Sequence, residues 1–293
     1  MSGYVATIGM FDGVHLGHQF VLRHVVEAAR KRGLQSMAIT FDHPATKGGI
    51  VLTPTDDKLL LLSKTGIDRV EVLSFTDELK QMTASQFMQQ VLREQLGVSV
   101  LLTGYDNRFG HNRTEGFDDY VRYGRELGIE VKSLPPLSPP APSSNAISSS
   151  LIRQLLAEGR VREAADGLGY PYTVVGRVVH GEHIGTRLGF PTANIQPLCD
   201  QQLIPAAGVY AVKVRLQHSM TFMHAMMNIG HRPTFDGRNQ TLEAHIFQLR
   251  ENLYGQLLAV SFVERLRDEQ RFDTLEALIE QLNNDAQRAQ ELL

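Results

Sequence analysis

The chain changes its hydrophobic rhythm once, and that change limits what it can fold into. As far as Leu134, short apolar runs alternate with segments of helical spacing. Tyr4–Ile8, 34–41, 69–75, 98–103 and 129–134 read as strands, and 20–29, 56–64 and 84–96 read as helices. Such alternation predicts a doubly wound parallel sheet, whose ligands lie beyond the carboxyl ends of the strands. A proline-rich run follows, from Pro135 to Ser144. Polyproline geometry is stiff and needs no core, so a linker and an active-site flap are both open readings. A short helix is expected from about Ser148 to Gly159, capped by a serine hydroxyl, and another over 161–168. From Tyr172 the rhythm is that of short strands, at 174–179, 209–216, 222–228, 241–249 and 257–266. This predicts an antiparallel barrel or sandwich. A final helix from about Thr274 places Leu275, Leu278, Ile279 and Leu282 on one face. The fold class is therefore α/β plus β, with domains at 1–168 and 169–293, and 293 residues suit two domains.

A net charge of −3 gives no nucleic-acid footprint. The single cysteine, Cys199, allows no internal disulfide and fits a reducing compartment. No apolar stretch approaches a membrane span, and Met1-Ser2-Gly3-Tyr4 is not the start of a secretion signal. The expectation is a cytoplasmic protein with neither membrane nor nucleic-acid partners.

The first predicted strand runs into Gly9-Met10-Phe11-Asp12-Gly13-Val14-His15-Leu16-Gly17-His18 and then a helix. A glycine-containing turn at a helix start can press backbone N–H groups against a polyphosphate. Its two imidazoles add donors that can follow charge developing on phosphorus. A metal pair is the competing reading, but no Cys, Asp or Glu stands beside His15 and His18 at ligand spacing. The pattern resembles the His-x-Gly-His signature of nucleotidylyltransferases. Gly104-Tyr105-Asp106-Asn107-Arg108-Phe109-Gly110 follows the fourth strand and reaches the same sheet edge.

The second half carries its own constellation, from Gly181 through Gly189-Phe190-Pro191-Thr192-Ala193-Asn194. Thr192 and Asn194 are two apart, so an extended segment points both to one side. Their neutral oxygens suit magnesium, whose remaining ligands are commonly phosphate and water. A plain turn is the alternative for this run. Glu243 stands in the strand pattern Thr241-Leu242-Glu243-Ala244-His245-Ile246-Phe247, on the polar side. Strands are depleted in Glu. A solvent-facing carboxylate would explain it alone; together with Thr192 and Asn194 it reads as a general base aimed at a hydroxyl.

Nearly the whole chain resembles the bacterial bifunctional riboflavin kinase/FMN adenylyltransferase family, also called FAD synthetases. The likeness rests on Gly9–His18, Gly104–Gly110, Ile147–Arg153, Leu188–Ile195, Pro205–Tyr210, Asn228–Phe235, Leu253–Gly255 and Leu266–Phe272, in the family's order. It implies a nucleotidylyltransferase domain followed by a β-barrel kinase domain. It also implies ATP, riboflavin and FMN as substrates, with Mg²⁺. In the first module, His15 and His18 would meet ATP phosphates and the adenylyl transition state. Gly9, Phe11, Asp12, Gly13, Gly17, Gly104, Asp106 and Ser149 would line the nucleotide site, and Arg153 would touch phosphate. In the second, Thr192 and Asn194 would hold Mg–ATP, with Gly181, Gly189 and Pro191 around them. Glu243 would take the proton of the ribityl hydroxyl. Arg267 would face the flavin or its new phosphate; pairing among Arg267, Asp268, Glu269 and Arg271 is the competing reading.

Two departures stand out. Thr40-Phe41-Asp42-His43-Pro44 is one residue shorter than the family's Thr-Phe-(Asp/Glu)-Pro-His-Pro, and Asn107 replaces a phenylalanine. Both segments lie near the family's adenylylation-site flavin, so a lost ring would cost stacking on the order of 1 kcal/mol. Weaker or absent adenylylation, a non-catalytic flavin binder and a transferase for another acceptor are the rival readings.

Overall fold

The computed structural model describes residues 3–42, 49–105, 107–111, 114–137, 146–181, 185, 188–217, 219–231, 240–249 and 251–293. It forms two compact units, Met1–Ser149 and Ser150–Leu293.

The first unit holds β1 (Tyr4–Ile8), β2 (Gln35–Phe41), β3 (Arg69–Leu73), β4 (Val98–Thr103) and β5 (Glu130–Ser133). Their order is β3-β2-β1-β4-β5 and every pairing is parallel. The period of two sorts the strand residues to opposite faces. Ala6, Ile8, Met37, Ile39 and Leu101 enter one core, with Phe87, Met88 and Tyr120. Val5, Ala38, Val100 and Leu102 enter another, with Leu22 and Val25. Both faces are thus covered, as a parallel sheet requires. The covering elements include α1 (Leu16–Arg32), α2 (Thr55–Ser63), α3 (Asp77–Gln81) and α5 (Phe117–Leu127). Between the last two, α4 (Ala84–Gln86) continues as a π-helical stretch, Phe87–Gln95, where plain helical spacing is read from the sequence. The chain leaves β1 for β2 and β3 on one side, then returns to β4 on the other. The carboxyl ends of β1 and β4 therefore flank the topological switch point, where such sheets open a ligand crevice.

In the second unit, α6 (Ser149–Ala157) leads into α7 (Val161–Leu168), which packs on the barrel strand β11. The barrel comprises β6 (Thr173–Val179), β7 (Ala193–Pro197), β8 (Gly208–Leu216), β9 (Met223–His231), β10 (Gln240–Ile246) and β11 (Leu257–Arg267). It closes in the order β10-β7-β6-β11-β8-β9, antiparallel throughout. Of the barrel and sandwich readings, the barrel is the one formed. Its sixth strand is β7, too short and polar to announce itself beyond an extended segment. Tyr210 and Phe262 are fully buried and meet edge-to-face at 5.3 Å. The final helix, α8 (Leu275–Leu292), is capped by Thr274, whose hydroxyl accepts from Ala277 N. Its packed stripe lies further along than expected: Leu275 is 53% exposed, while Leu282, Ala286 and Ala289 cover Ala211 and Met226. Among the described residues, no helix is long and apolar enough to cross a membrane.

Candidate functional site

Each unit carries a candidate site. In the first, the turn after β1 is built under strain. Phe11, Gly13 and Val14 have φ of 49°, 80° and 34°. Only glycine tolerates this region freely, so Phe11 and Val14 are held there by burial, at 2% and 1% exposure. A Cβ on Gly9 would stand 3.2 Å from the Phe11 ring, which explains that glycine. The Asp12 carboxylate accepts from the backbone N–H groups of Leu52 and Thr53, at 3.0–3.1 Å. Asp12 therefore braces the turn against the loop before α2, while its own carbonyl accepts from Ser149 Oγ at 2.8 Å.

His15 caps α1: its Nδ1 accepts from His18 N at 3.3 Å. An accepting Nδ1 leaves the neutral ring's proton on Nε2. The two imidazoles stack with centroids 3.7 Å apart, and Phe11 meets His18 edge-on at 5.2 Å. Gly17 permits this, since a Cβ there would come within 3.2 Å of the His15 ring. Burial lowers the His15 pKa to about 4. Burial, then His15 itself, holds His18 well below the ordinary range. Both rings are neutral near pH 7, and His18 Nδ1 is buried with no hydrogen-bond partner among the described residues. Two neutral donors beside a helix start suit an anion better than a cation.

These rings open onto a cavity of about 400 Å³ at the switch point. Gly9, His15, His18 and Ser149 line one part; Phe41, Phe75, Tyr105 and Phe109 line another. An end lined by imidazoles, glycine and a hydroxyl is thus joined to an aromatic end. Gly104 lines the cavity too, whereas Asp106 lies outside the described residues. Asn107 has a role that composition does not reveal: its side-chain amide donates to Ile8 O, tying the loop after β4 to the end of β1. Phe109 is engaged in the core, stacked on Tyr120 at 4.1 Å. Sequence reasoning also missed Lys58. It is 5% exposed and donates to Phe41 O at 2.8 Å. Burial lowers its pKa, opposed by Asp12 and Asp42. A lysine on an amphipathic helix gives no sequence signal of burial. The shortened segment after β2 is described only as far as Asp42, which accepts from Phe75 N at 3.1 Å; His43 and Pro44 lie outside the described residues.

In the second unit, register brings the predicted residues together. Glu243 on β10 is the direct partner of Asn194 on β7, and of Asn228 on β9. The three form one cross-strand row. Leu242, Ala244 and Ile246 are buried, while Thr241, Glu243 and His245 are partly exposed on the opposite side. Asn194 and Thr192 sit beneath glycines. A Cβ on Gly181 would fall 2.1 Å from Asn194 Nδ2, and one on Gly185 would fall 3.3 Å from Thr192 Oγ1. Gly189 has φ of 83°, a left-handed turn before Pro191. Thr192 and Pro191 also border a cavity of about 290 Å³ with Leu253 and Tyr254. The described residues contain no cluster of three His, Cys, Asp or Glu able to hold a metal. A hydroxyl and an amide oxygen under glycine, opposite a carboxylate, nevertheless fit magnesium that arrives with a nucleotide's phosphates.

The remaining predicted residues fall as follows. Arg267 pairs across to the last helix. Its Nε and Nη2 donate to Asp285 on α8 at 2.8–3.1 Å, and its Nη1 to Asp268 O at 2.8 Å. Asp285 is 3% exposed. Arg153 is half-buried one helical turn beyond Ser149, on the same face of α6.

Two family models match in tandem: FAD synthetase over residues 1–151 and riboflavin kinase over 168–293. The bifunctional riboflavin kinase/FMN adenylyltransferase of Haemophilus influenzae is 36% identical, with 99% of this chain and 94% of that protein covered. The Escherichia coli K12 protein of the same name is 37% identical, covering 99% and 93%. The Listeria monocytogenes protein of that name is 36% identical, covering 97% and 90%. A crystal structure of a Streptococcus pneumoniae protein, described as a macrolide-efflux protein, matches with a TM-score of 0.89 at 31% identity. It covers 99% of this chain and 94% of that one. Two-site architecture, tandem family matches and end-to-end relatives agree: the chain belongs to the bifunctional riboflavin kinase/FMN adenylyltransferase family.

Proposed function

We propose that the chain makes both flavin cofactors in two steps. The second domain, assigned to 169–293, phosphorylates riboflavin to FMN with ATP. The first, assigned to 1–168, transfers AMP from ATP to FMN, giving FAD and pyrophosphate. The observation that carries the reading is the cross-strand pair Asn194–Glu243 in a chain whose other unit presents stacked, neutral His15 and His18. Its partners are the small molecules ATP, riboflavin and FMN. A cytoplasmic location is part of the same reading.

In the kinase step the ribityl hydroxyl oxygen bonds to the γ-phosphorus of ATP and the bond to ADP breaks. Glu243 takes the hydroxyl proton. Thr192 and Asn194 would hold Mg²⁺ with the nucleotide, and the ion would supply charge neutralisation on the phosphates. Phosphoryl transfer relies on such positioning more than on covalent help. In the adenylyl step an FMN phosphate oxygen bonds to the α-phosphorus and pyrophosphate departs. The attacking group is already an oxyanion, so no general base is needed. His15 and His18, with Gly9, Gly13 and Gly17 keeping the backbone close, donate to the phosphates as charge develops. Ser149 serves the same phosphates. Arg267 lies near the flavin or its new phosphate in this reading; its pair with Asp285 supports a positioned rather than a mobile guanidinium. Pure protein incubated with riboflavin, ATP and Mg²⁺ should yield FMN and then FAD on chromatography. FMN alone would favour the single-activity reading, and neither product a non-catalytic one.

A further inference from the structure

We infer that His245 is a positioning residue for the kinase site, acting through the backbone of the Pro-Thr-x-Asn run. The inference rests on the kinase reading above and extends it to a residue outside the metal and base assignments. His245 stands two residues beyond Glu243, on the same side of β10. Its Nδ1 lies 2.8 Å from Pro191 O. A carbonyl only accepts, so Nδ1 carries the proton and donates. The imidazole is fixed from two sides, edge-on to Phe190 at 5.2 Å and to Phe247 at 5.6 Å. The two rings hold the imidazole in one orientation, toward the carbonyl of the exposed Pro191.

The bond lies where the backbone has little else to hold it. Ladder pairing of β7 with β10 covers only Asn194–Glu243 and Ala193–Ala244. Pro191 precedes the strand and Thr192 lies between the two. Proline contributes no N–H to a ladder. The His245–Pro191 bond extends the pairing by a side chain, past the point where backbone pairing ends. It thereby fixes Thr192 relative to the strand that carries Glu243. One strand then sets both halves of the site: Glu243 directly, and the hydroxyl of Thr192 through His245.

The test separates the hydrogen bond from the ring. His245→Phe keeps an aromatic body and removes the donor; His245→Asn removes the ring and keeps a donor near the Nδ1 position. With the full-length protein, riboflavin and MgATP, His245→Phe should raise the KM for MgATP about five- to tenfold, the scale of one lost hydrogen bond. The kcat should change less than KM, and His245→Asn should recover most of the loss. Hydrogen exchange in nucleotide-free protein supplies a readout independent of turnover. Amides of Thr192 and Ala193 should exchange faster in His245→Phe than in His245→Asn. FAD formation from supplied FMN should be unchanged in both. Wild-type KM and exchange in His245→Phe would overturn the inference, and so would equal impairment of the two variants, which would assign the effect to ring packing. Failure of the wild-type protein to make FMN would instead overturn the kinase reading, and the exchange comparison would still decide the role of His245.

Discussion

His15 shows how one residue can serve a helix and a phosphate site together. It caps α1 only with Nδ1 unprotonated, and burial lowers its pKa to about 4 from 6.5. The unfolded chain therefore binds a proton that the folded one refuses between pH 6.5 and about 4. Stability of the first unit should be full above this window and fall as the pH drops through it, by up to about 3 kcal/mol from this ring. His15→Asn keeps a capping acceptor without the titration. Urea midpoints of the first unit between pH 7 and 4.5 should show a shallower decline in the variant, and parallel declines would contradict the linkage. Asn107 makes a different point. The missing phenylalanine reads from sequence as lost stacking, yet its amide joins β1 to the loop after β4 through Ile8 O. Asn107→Phe would leave the carbonyl of the buried Ile8 without this donor. It should destabilise the first unit by about 1–3 kcal/mol, measured by thermal or urea unfolding. A more stable variant would show that the ring matters more than the tie.

The loop over β7 depends on small residues. Gly181→Ala would set a methyl carbon 2.1 Å from Asn194 Nδ2, and the amide must move. A displacement on the order of 1 Å in a positioning group costs about 100-fold in a rate. FMN formation should therefore fall by about 10- to 100-fold, with FAD formation from supplied FMN unaffected; unaltered FMN formation would separate Asn194 from the reaction. At the end of β11, Asp285→Ala would remove the carboxylate that pairs with the Arg267 guanidinium, and breaking such a buried pair costs about 3 kcal/mol. Calorimetry of the second unit checks this, and an unchanged midpoint would contradict it. Elements of this kind were unequally legible in the sequence. The parallel strands and α1 followed from apolar runs and spacing, and Glu243 and Asn194 from their residue types. β7 was not legible as a strand, because its pattern is polar and its pairing is set by neighbours distant in sequence. The Arg267–Asp285 pair and the burial of Lys58 were hidden for the same reason: both depend on which elements tertiary packing brings together. The α8 stripe was legible except at its start, where Leu275 is exposed while Leu278, Ile279 and Leu282 are partly buried.

At the scale of the molecule, two units of unlike class each hold one step. The family matches leave 152–167 between them, and these residues include most of α7. Val161, Ala164 and Leu168 are fully buried, and Arg162 pairs with Glu264 on β11 at 2.9 Å. A fragment of 150–293 should therefore unfold at a higher temperature than one of 169–293, while both retain kinase activity. Equal midpoints would show that α7 adds nothing to the barrel. The central claim is that the two reactions occupy separate residues. Flavin chromatography on matched variants tests it most directly, with riboflavin or FMN supplied alongside ATP and Mg²⁺. Glu243→Gln should lower FMN formation by about 10²–10⁴-fold, as loss of a general base does, yet convert supplied FMN to FAD normally. His18→Ala should accumulate FMN and make no FAD. Loss of both products in either folded variant, or wild-type FMN formation by Glu243→Gln, would contradict the two-site account.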